Sequence, residues 1–336
     1  MGLCGRPLGD PQHTPAYHAV DTQKGIPVTR AFVFPGQGAH VVGMGLAVAQ
    51  AFPAAADVYR RADAALGYAI SDICFYGPEA TLTATEHTQP ALVTTELAIL
   101  AALAGGTEHI VSYTMAQATA VAGHSLGEYS ALCAAGSLSI EDAISLVRTR
   151  GQLMAAANAG GMAAVIGLDD ARIDEICASV SHPDSSVVVA NYNSPGQTVI
   201  SGHTTAIEQA SILLKEAGAK RVLPLNVSAA FHSPLMREAA QQLAHVVART
   251  TINMPKVTVI GNIHAKPLVD VTAVGSELPA QVTSAVRWVD TISYMVAHGV
   301  TEFVEIGPGT VLAGLIKRIA PHAIVTSIGT PESIRG

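Results

Sequence analysis

The sequence contains few of the residues that mark several specialised protein classes. Aromatic residues make up 4% of its 336 residues and charged residues 13%. The net charge is −7, and the lysines and arginines are dispersed rather than gathered into a basic stripe, so nucleic acid is not an expected partner. Apolar residues nevertheless reach 49%, and this composition is typical of a globular protein rather than a disordered one.

Signals for disulfides, metal sites and membrane segments are also missing. The four cysteines are scattered without the spacing of metal ligands, which is typical of reduced thiols in a cytosolic protein. The thirteen histidines include no HExxH motif, so no metal is expected. Residues 91–104 are apolar, but three polar residues interrupt them, which favours a buried helix over a membrane span. Because the N-terminus lacks the pattern of a secretory signal, we expect a cytoplasmic protein.

The most informative motif is Gly-His-Ser-Leu-Gly at residues 123–127. A Gly-x-Ser-x-Gly pattern predicts a nucleophile elbow, a sharp turn between a strand and a helix that forces strained dihedral angles on Ser125. Both glycines are needed, because a Cβ on either one would clash where the strand approaches the helix. The turn leaves the Leu126 N–H at a helix N-terminus, where it can stabilise an oxyanion. By itself the motif is equally consistent with an esterase.

Hydrophobic patterning predicts a larger domain that is interrupted by a smaller insert. Residues 1–28 are rich in Gly, Pro, His and Gln without periodicity and are expected to be a disordered extension. The larger domain is expected to contain strands at 30–34, 118–122, 257–260 and 302–305 and helices at 43–65, 90–104 and 310–319. The insert is expected to contain strands at 162–167, 186–190, 197–201 and 221–225, with helices that complete a β-α-β-β-α-β order.

The predicted fold class is therefore α/β. The expected architecture is an α/β-hydrolase-like large domain with a parallel sheet core and an inserted ferredoxin-like α+β subdomain. The expected large domain is discontinuous and comprises residues 29–154 and 226–330, and the expected small subdomain comprises residues 155–225.

One arginine of the larger domain is expected to face the interior. Ser139 and Asp142 form a capping pattern that begins another helix. At about 100° per residue, Arg150 falls near the edge of the apolar stripe of this helix and Arg148 falls outside it. An arginine that turns inward needs an anionic partner.

A serine nucleophile also needs a base and an oxyanion hole. His232, which follows the insert, is the candidate base, and a structural role is the alternative for such a lone histidine. His124 is expected to be structural, because an elbow turns it away from the neighbouring serine. A second oxyanion donor is expected in the glycine-rich loop at 35–38, for which a plain turn is the alternative interpretation.

Seven motifs occur along the chain, and together with their order they resemble those of a known family. They are Phe-Pro-Gly-Gln-Gly (34–38), Thr-Gln-Pro-Ala-Leu (88–92), Gly-His-Ser-Leu-Gly-Glu (123–128), Arg-Gly-Gln-Leu-Met (150–154), Asn-Tyr-Asn-Ser-Pro-Gly-Gln-Thr-Val-Ile-Ser-Gly (191–202), Ala-Phe-His-Ser (230–233) and Glu-Ile-Gly-Pro-Gly (305–309). With them the chain resembles the malonyl-CoA:acyl-carrier-protein transacylases of fatty acid and polyketide synthesis, over residues 29–330.

The resemblance implies a ping-pong transfer. Ser125 would accept a malonyl group from malonyl-CoA, the substrate, and a phosphopantetheine thiol of an acyl carrier protein would remove it. His232 would act first as base and then as acid, and the backbone N–H groups of Gln37 and Leu126 would form the oxyanion hole. No permanently bound cofactor is implied, and a monomer is the family's usual state.

The resemblance also assigns the binding residues. Arg150 would pair with the free carboxylate of the malonyl group. Gln281 matches the residue whose backbone carbonyl orients the histidine, so no acidic triad member is expected. Phe231 precedes His232 and would crowd an α-methyl group, which favours malonyl, although Ala229 departs from the known specificity patterns. The remaining matches are two pocket residues and two basic pairs that would contact coenzyme A or the carrier protein: Gln89, Asn193, Lys220, Arg221, Lys317 and Arg318.

Several alternatives stay open at the level of the sequence. A hydrolase of the same fold would clear stalled acyl groups from carrier proteins, but it should lack the carboxylate-binding arginine. A transferase for an unusual extender unit and a non-catalytic scaffold are the other readings, and the basic pairs could simply be solvated charges. No ketosynthase or carrier sequence adjoins the matched region, so we expect a discrete enzyme that supplies a fatty acid or polyketide synthase, with a domain excised from a larger synthase as the alternative.

Overall fold

The computed structural model describes residues 29–157, 159–227 and 229–336, so the extension expected at 1–28 lies outside the described residues. The strands are, in chain order, β1 (Thr29–Phe34), β2 (Ala120–Gly123), β3 (Gly161–Ile166), β4 (Val187–Ser194), β5 (Gln197–Gly202), β6 (Arg221–Pro224), β7 (Thr258–Ile260), β8 (Val300–Ile306) and β9 (Ile324–Ile328). The helices are α1 (Leu46–Ala51), α2 (Pro53–Leu66), α3 (Ile70–Tyr76), α4 (Glu79–Thr83), α5 (Thr85–Ala104), α6 (Ile110–Gln117), α7 (Gly127–Ala134), α8 (Ile140–Ala156), α9 (Asp170–Val180), α10 (Thr204–Glu216), α11 (Arg237–Val247), α12 (Val271–Gln281), α13 (Trp288–Ala297), α14 (Val311–Ile319) and α15 (Pro331–Arg335).

The larger sheet is parallel and has the strand order β7-β2-β1-β8-β9. Its strands are short and apolar, and helices cover both faces, as a parallel sheet requires. Because all strands run in one direction, the segments that follow β1, β2, β7 and β8 meet at one edge of the sheet. The glycine-rich loop, the Ser125 turn and residues 261–262 therefore lie at the same edge.

The smaller sheet is antiparallel and has the order β4-β5-β3-β6. In the insert's own numbering this order is 2-3-1-4, with α9 and α10 packed on one face, which is the ferredoxin-like arrangement. Backbone bonds join β4 to the larger domain, because Tyr192 N donates to Val286 O at 2.9 Å and Val286 N donates to Ala190 O at 2.8 Å. The α/β fold class expected from the sequence is thus confirmed.

Several predicted elements were wrong in their extent. The helix expected at 43–65 is two helices, because Phe52 precedes a proline and is extended. The helix expected at 90–104 begins at Thr85 and contains Pro90, which cannot donate to the carbonyl of Glu86. Arg148 Nη1 donates to that carbonyl instead, at 2.9 Å. Strand β9 was not expected at all.

No single helix in the described part of the chain is long and apolar enough to cross a membrane. The segments 85–104 and 107–117 meet such a criterion only as a pair, and they are bent by 84° relative to each other. Helix α5, the longest of the described helices, is instead buried against α2, α7 and α8 within the protein.

The turn after β2 depends on close backbone packing. A Cβ placed on Gly123 would lie 1.8 Å from the carbonyl carbon of Gly127, and one on Gly127 would lie 2.1 Å from the carbonyl oxygen of Phe34. His124 N also donates to Phe34 O at 2.9 Å. Ser125 has a φ of 50°, a left-handed value that L residues rarely adopt. The nucleophile elbow expected from the two glycines is therefore present, packed on the end of β1.

We expect Gly127→Ala to destabilise the protein by about 2 kcal/mol or more, because the new methyl group meets backbone that cannot move aside. The matched control is Gly314→Ala on α14, where a Cβ meets no atom within 4 Å. That change should be neutral or stabilising by up to about 1 kcal/mol, since alanine favours helix. Urea unfolding of both variants measures the difference, and equal stabilities would contradict the packing described here.

Candidate active site

The Ser125 side chain lies within hydrogen-bonding distance of the predicted base. The Oγ atom is 2.8 Å from Nε2 of His232, a residue that is itself held at a left-handed φ of 58°. Nδ1 of His232 lies 2.9 Å from the carbonyl oxygen of Gln281 and 3.1 Å from that of Ser284. Since carbonyl oxygens only accept, Nδ1 carries the proton of the neutral ring and Nε2 is left to accept from Ser125.

The surroundings of His232 favour its neutral form. The ring is buried, and this burial together with the charge of Arg150 lowers the pKa of His232 to about 3. A neutral imidazole with a free Nε2 lone pair can take the proton of the serine hydroxyl at neutral pH. The backbone carbonyls of Gln281 and Ser284 therefore take the place that an acidic residue has in a Ser-His-Asp triad.

Arg150 faces the interior beside the serine, at 1% exposure, whereas Arg148 lies near the surface. Nη2 of Arg150 donates to Ser125 Oγ and to Gln281 Oε1, each at 3.0 Å, and Nη1 of Arg150 donates to Gln89 Oε1 at 2.9 Å. No carboxylate pairs with this guanidinium among the described residues. A buried cation without an anion is therefore positioned next to the nucleophile.

The glycine-rich loop packs directly against the elbow. A Cβ on Gly36 would lie 2.6 Å from the carbonyl oxygen of His124, so the two segments touch through their backbones. The N–H groups of Gln37 and Leu126 have no acceptor among the residues that the structure describes. Leu126 stands immediately before α7, where N–H groups and the helix dipole favour negative charge. Both predicted oxyanion donors thus belong to one edge of the cavity, next to Ser125.

His124 points away from the hydroxyl of Ser125, as the sequence predicts for an elbow. Its Nε2 lies 2.8 Å from Oδ1 of Asn193 on β4, and its ring packs edge-on against Trp288 at 5.5 Å between centroids. The predicted pocket residue Asn193 therefore contacts the elbow through His124 and also lines the cavity.

A cavity of about 190 Å³ opens above the serine. This volume is below the roughly 300–1,000 Å³ of sites for drug-sized ligands, so a short acyl group fits it. Phe231 lines it as expected, whereas Gln89 is buried behind Arg150, where its Nε2 lies 3.5 Å from the sulfur of Met154. Lining residues that the sequence did not single out come from α8, the smaller sheet and the segment after it: Met154, Met162, Asn191, Val199, Leu225 and Val227.

Sequence reasoning also missed a buried amide behind the elbow. Asn262 Oδ1 accepts from Ser125 N, and its Nδ2 donates to Gly123 O, both at 2.7 Å. The side chain is fully buried and follows β7, the neighbour of β2 in the larger sheet. Only the strand order places residue 262 beside residue 125, and the sequence did not provide that order.

The two predicted basic pairs lie outside the cavity. Arg221 begins β6, and the alternation of a strand places it and Leu223 on the same face as Leu225, which lines the cavity. Arg318 in the last turn of α14 donates to Gln197 Oε1 at 2.6 Å. An adjoining groove shares Gln37 and Val227 with the cavity, and it is not lined by any of the four basic residues: Lys220, Arg221, Lys317 and Arg318.

Comparison with known proteins agrees with this geometry. Residues 31–329 match the acyl transferase domain family. The malonyl CoA-acyl carrier protein transacylase of Bacillus subtilis (strain 168) is 41% identical, over 90% of this chain and 94% of its own. The crystal structure of an acyl carrier protein S-malonyltransferase from Vibrio cholerae has a TM-score of 0.86 at 39% identity, and the match covers 91% of this chain and 99% of that one.

A further solved structure contains a carrier protein. It is a type II PKS acyl-carrier protein in complex with its malonyl-transacylase, with a TM-score of 0.84 at 38% identity over 91% of this chain and 98% of that one. The family match covers most of the chain, and the relatives match nearly their whole lengths. Because the family model matches residues 31–329 of the 336, this chain belongs to the acyl transferase domain family.

Proposed function

We propose that this protein transfers a malonyl group from malonyl-CoA to the phosphopantetheine thiol of an acyl carrier protein, through an ester on Ser125. The observation that carries the proposal is the buried guanidinium of Arg150, 3.0 Å from Ser125 Oγ and without an anionic partner among the described residues. Such a cation favours an acyl group that brings its own carboxylate. The names of the relatives, which are malonyl transferases acting with acyl carrier protein, support the same substrate and partner.

In the first half-reaction we expect the Ser125 hydroxyl to attack the thioester carbonyl of malonyl-CoA while His232 Nε2 accepts its proton. The N–H groups of Gln37 and Leu126 would stabilise the oxyanion that forms on the carbonyl. The C–S bond then breaks, and the coenzyme A thiolate takes the proton from His232. In the second half-reaction His232 deprotonates the phosphopantetheine thiol, and the thiolate attacks the ester carbonyl. The C–O bond to Ser125 then breaks, the malonyl group leaves as the carrier-protein thioester, and Ser125 Oγ takes the proton back from His232.

The position of Arg150 also supports selection against acyl groups without a carboxylate. An acetyl group would leave the buried guanidinium unpaired, and an unmet buried charge costs free energy in the bound state. Phe231 lines the small cavity, and we expect it to limit substitution at the α-carbon, which supports malonyl over larger extender units. The hydrolase alternative gains no support from the relatives, whose names are those of transferases.

The carrier protein and coenzyme A both carry negative charge, and we propose that the basic pairs meet them on the smaller sheet, at the start of a path that leads to the cavity. Arg221 and Leu223 extend from the cavity-lining Leu225 along one face of β6, which supports an approach along that strand. Lys220, Lys317 and Arg318 are exposed near the other end of the smaller sheet. Cys74, Cys133 and Cys177 are free and buried, which agrees with the proposed cytoplasmic location.

The direct test is intact-mass measurement after mixing the protein separately with malonyl-, methylmalonyl- and acetyl-CoA. We expect a malonyl adduct that disappears when a phosphopantetheinylated carrier protein is added, with the malonyl group recovered on that protein. Ser125→Ala should give no adduct. Labelling by acetyl-CoA but not malonyl-CoA would overturn the proposal, and rapid loss of the adduct to water would favour the hydrolase.

Arg150→Ala should lower kcat/KM for malonyl-CoA by about 100-fold or more, because the carboxylate then enters a site without its charged partner. Acetyl-CoA should be used at a rate changed by much less. Arg148→Ala is the matched control on the same helix, since its guanidinium bonds the Glu86 carbonyl near the surface. Equal losses with both acyl groups would show that Arg150 does not bind the carboxylate.

The pH dependence of kcat/KM for malonyl-CoA should lack a falling limb near pH 6.5. The base is active when neutral, and the low pKa of His232 keeps it neutral until the pH approaches about 3. Below pH 6.5 the unfolded chain binds a proton that the native His232 does not, so stability should fall with pH while activity per folded molecule persists. Circular dichroism at each pH separates the two effects, and an acid limb at pH 6–7 in folded protein would contradict the lowered pKa of His232.

A further inference from the structure

The side chain of Gln281 is fully buried at the end of α12 and contacts three parts of the site. Its Nε2 donates to the backbone carbonyl of Ser125 at 2.9 Å and also to Oε2 of Glu128. Its Oε1 accepts from Arg150 Nη2 at 3.0 Å. The backbone carbonyl of the same residue accepts from His232. Gln281 is therefore in direct contact with the nucleophile, the base and the arginine.

The partners of this amide fix its orientation. Both hydrogens of Nε2 face acceptors, namely a carbonyl and a carboxyl oxygen, whereas Oε1 faces the guanidinium. A flipped amide would place NH2 against the guanidinium and oxygen against oxygen, so one orientation is strongly preferred. The amide thereby ties Arg150 to the backbone of Ser125 through a short and rigid connection.

Amides hold the guanidinium without neutralising it. Gln89 accepts from Nη1 and Gln281 accepts from Nη2, so two neutral oxygens fix the plane of the guanidinium of Arg150. Burial and the neighbouring Glu277 raise the pKa of Glu128, the nearest acid in this network, which favours its uncharged form. No carboxylate among the described residues forms an ion pair with Arg150, so its charge remains available to a substrate anion.

The fixed distance between arginine and serine suits one length of acyl group. In a malonyl ester the carboxylate carbon lies roughly 3–4 Å from the ester oxygen, because three bonds of about 1.5 Å separate them. Arg150 Nη2 already lies 3.0 Å from Ser125 Oγ, so its donors are within reach of a carboxylate at that distance. An additional methylene, as in a succinyl group, moves the carboxylate by about 1 Å beyond it.

We infer that the Gln281 side chain is a positioning residue that sets selectivity for the length of the dicarboxylic acyl group, by holding the Arg150 guanidinium at a fixed distance from the Ser125 ester. The inference rests on the proposed function, because it takes Arg150 as the group that binds the acyl carboxylate. It is distinct from the expected role of the Gln281 backbone carbonyl, which acts on His232.

The test compares Gln281→Met with Asn262→Ala in acylation by malonyl-, succinyl- and acetyl-CoA. Methionine retains the backbone carbonyl and most of the volume but removes all three side-chain bonds. Asn262 holds the backbone of Ser125 from the other side and makes no hydrogen bond to Arg150, which makes it the matched control. Initial rates from intact mass give the malonyl-to-acetyl and malonyl-to-succinyl ratios for each protein.

For Gln281→Met we expect both ratios to fall by about tenfold or more, since the arginine loses one of its two amide supports. Asn262→Ala should slow all three acyl groups by the same factor and leave both ratios unchanged. The pH profile of Gln281→Met should match that of the wild type, because His232 keeps its carbonyl partners. Wild-type ratios in Gln281→Met, or equal shifts in Asn262→Ala, would overturn the inference.

Two further variants keep the outcome interpretable. If Gln281→Met does not fold, Gln281→Glu preserves the shape and places a carboxyl group against Arg150. Malonyl acylation should then fall more than acetyl acylation, and wild-type ratios would again overturn the inference.

Arg150→Ala in the same assay separates the two proposals. If it leaves the ratios unchanged, the proposed function fails and the inference falls with it. If it collapses the ratios while the Gln281 variants do not, only the inference fails.

Discussion

Arg150 is a buried positive charge, and the neighbouring polar side chains are arranged around its guanidinium. Burial lowers the pKa of the guanidinium, yet an arginine stays protonated under all ordinary conditions. Its donors meet two amide oxygens and the serine hydroxyl, which are neutral acceptors. An ion pair within the protein would offset part of the desolvation penalty but would also weaken the attraction for a substrate anion. In the proposed reaction, the carboxylate of the substrate would be the first anion to pair with this charge.

The parallel sheet explains how distant residues converge on this charge. Ser125 follows β2, Gln37 follows β1 and Asn262 follows β7, and all three strands end at the same edge. Helix α8 brings Arg150 from one side, while α12 brings Gln281 from another. The strained backbone of Ser125 is held at its N–H by Asn262 and at its carbonyl by Gln281. The strain that exposes the hydroxyl is thus supported by hydrogen bonds from two separate elements.

Much of this could be predicted from the sequence, and the limits have physical causes. The elbow, the two-part α/β architecture and the inward face of Arg150 follow from local chemistry, namely glycine sterics and helical periodicity. The structure also brings Ser125, His232 and Gln281 together, although their assigned roles stay predictions. Asn262 was missed because its importance depends on strand order, which local patterns do not encode. Strand β9 was missed because its residues are only partly buried and show no strong alternation.

The expected helix at 43–65 failed for a different reason. Its apolar periodicity continues across Phe52, but the proline that follows disfavours a helical backbone at this residue, which is extended. This local steric effect outweighs the helical pattern of the surrounding residues. The opposite occurs in α5, where Pro90 lies within the helix and Arg148 donates to the carbonyl that proline leaves open. That carbonyl thus bonds a side chain about sixty residues away, which no local pattern includes.

The pairing of β4 with Val286 affects how the two substrates can use the cavity. It joins the smaller sheet to the segment whose carbonyls orient His232, and the contact between His124 and Asn193 joins the same strand to the elbow. Hydrogen bonds therefore join the wall of the cavity that comes from the smaller sheet to the wall that carries the elbow and His232. The cavity of about 190 Å³ between these walls has room for one short acyl group beside Ser125. In the proposed reaction donor and acceptor would therefore use the same serine in turn, so the order of events would follow from the shape of the site as well as from its chemistry.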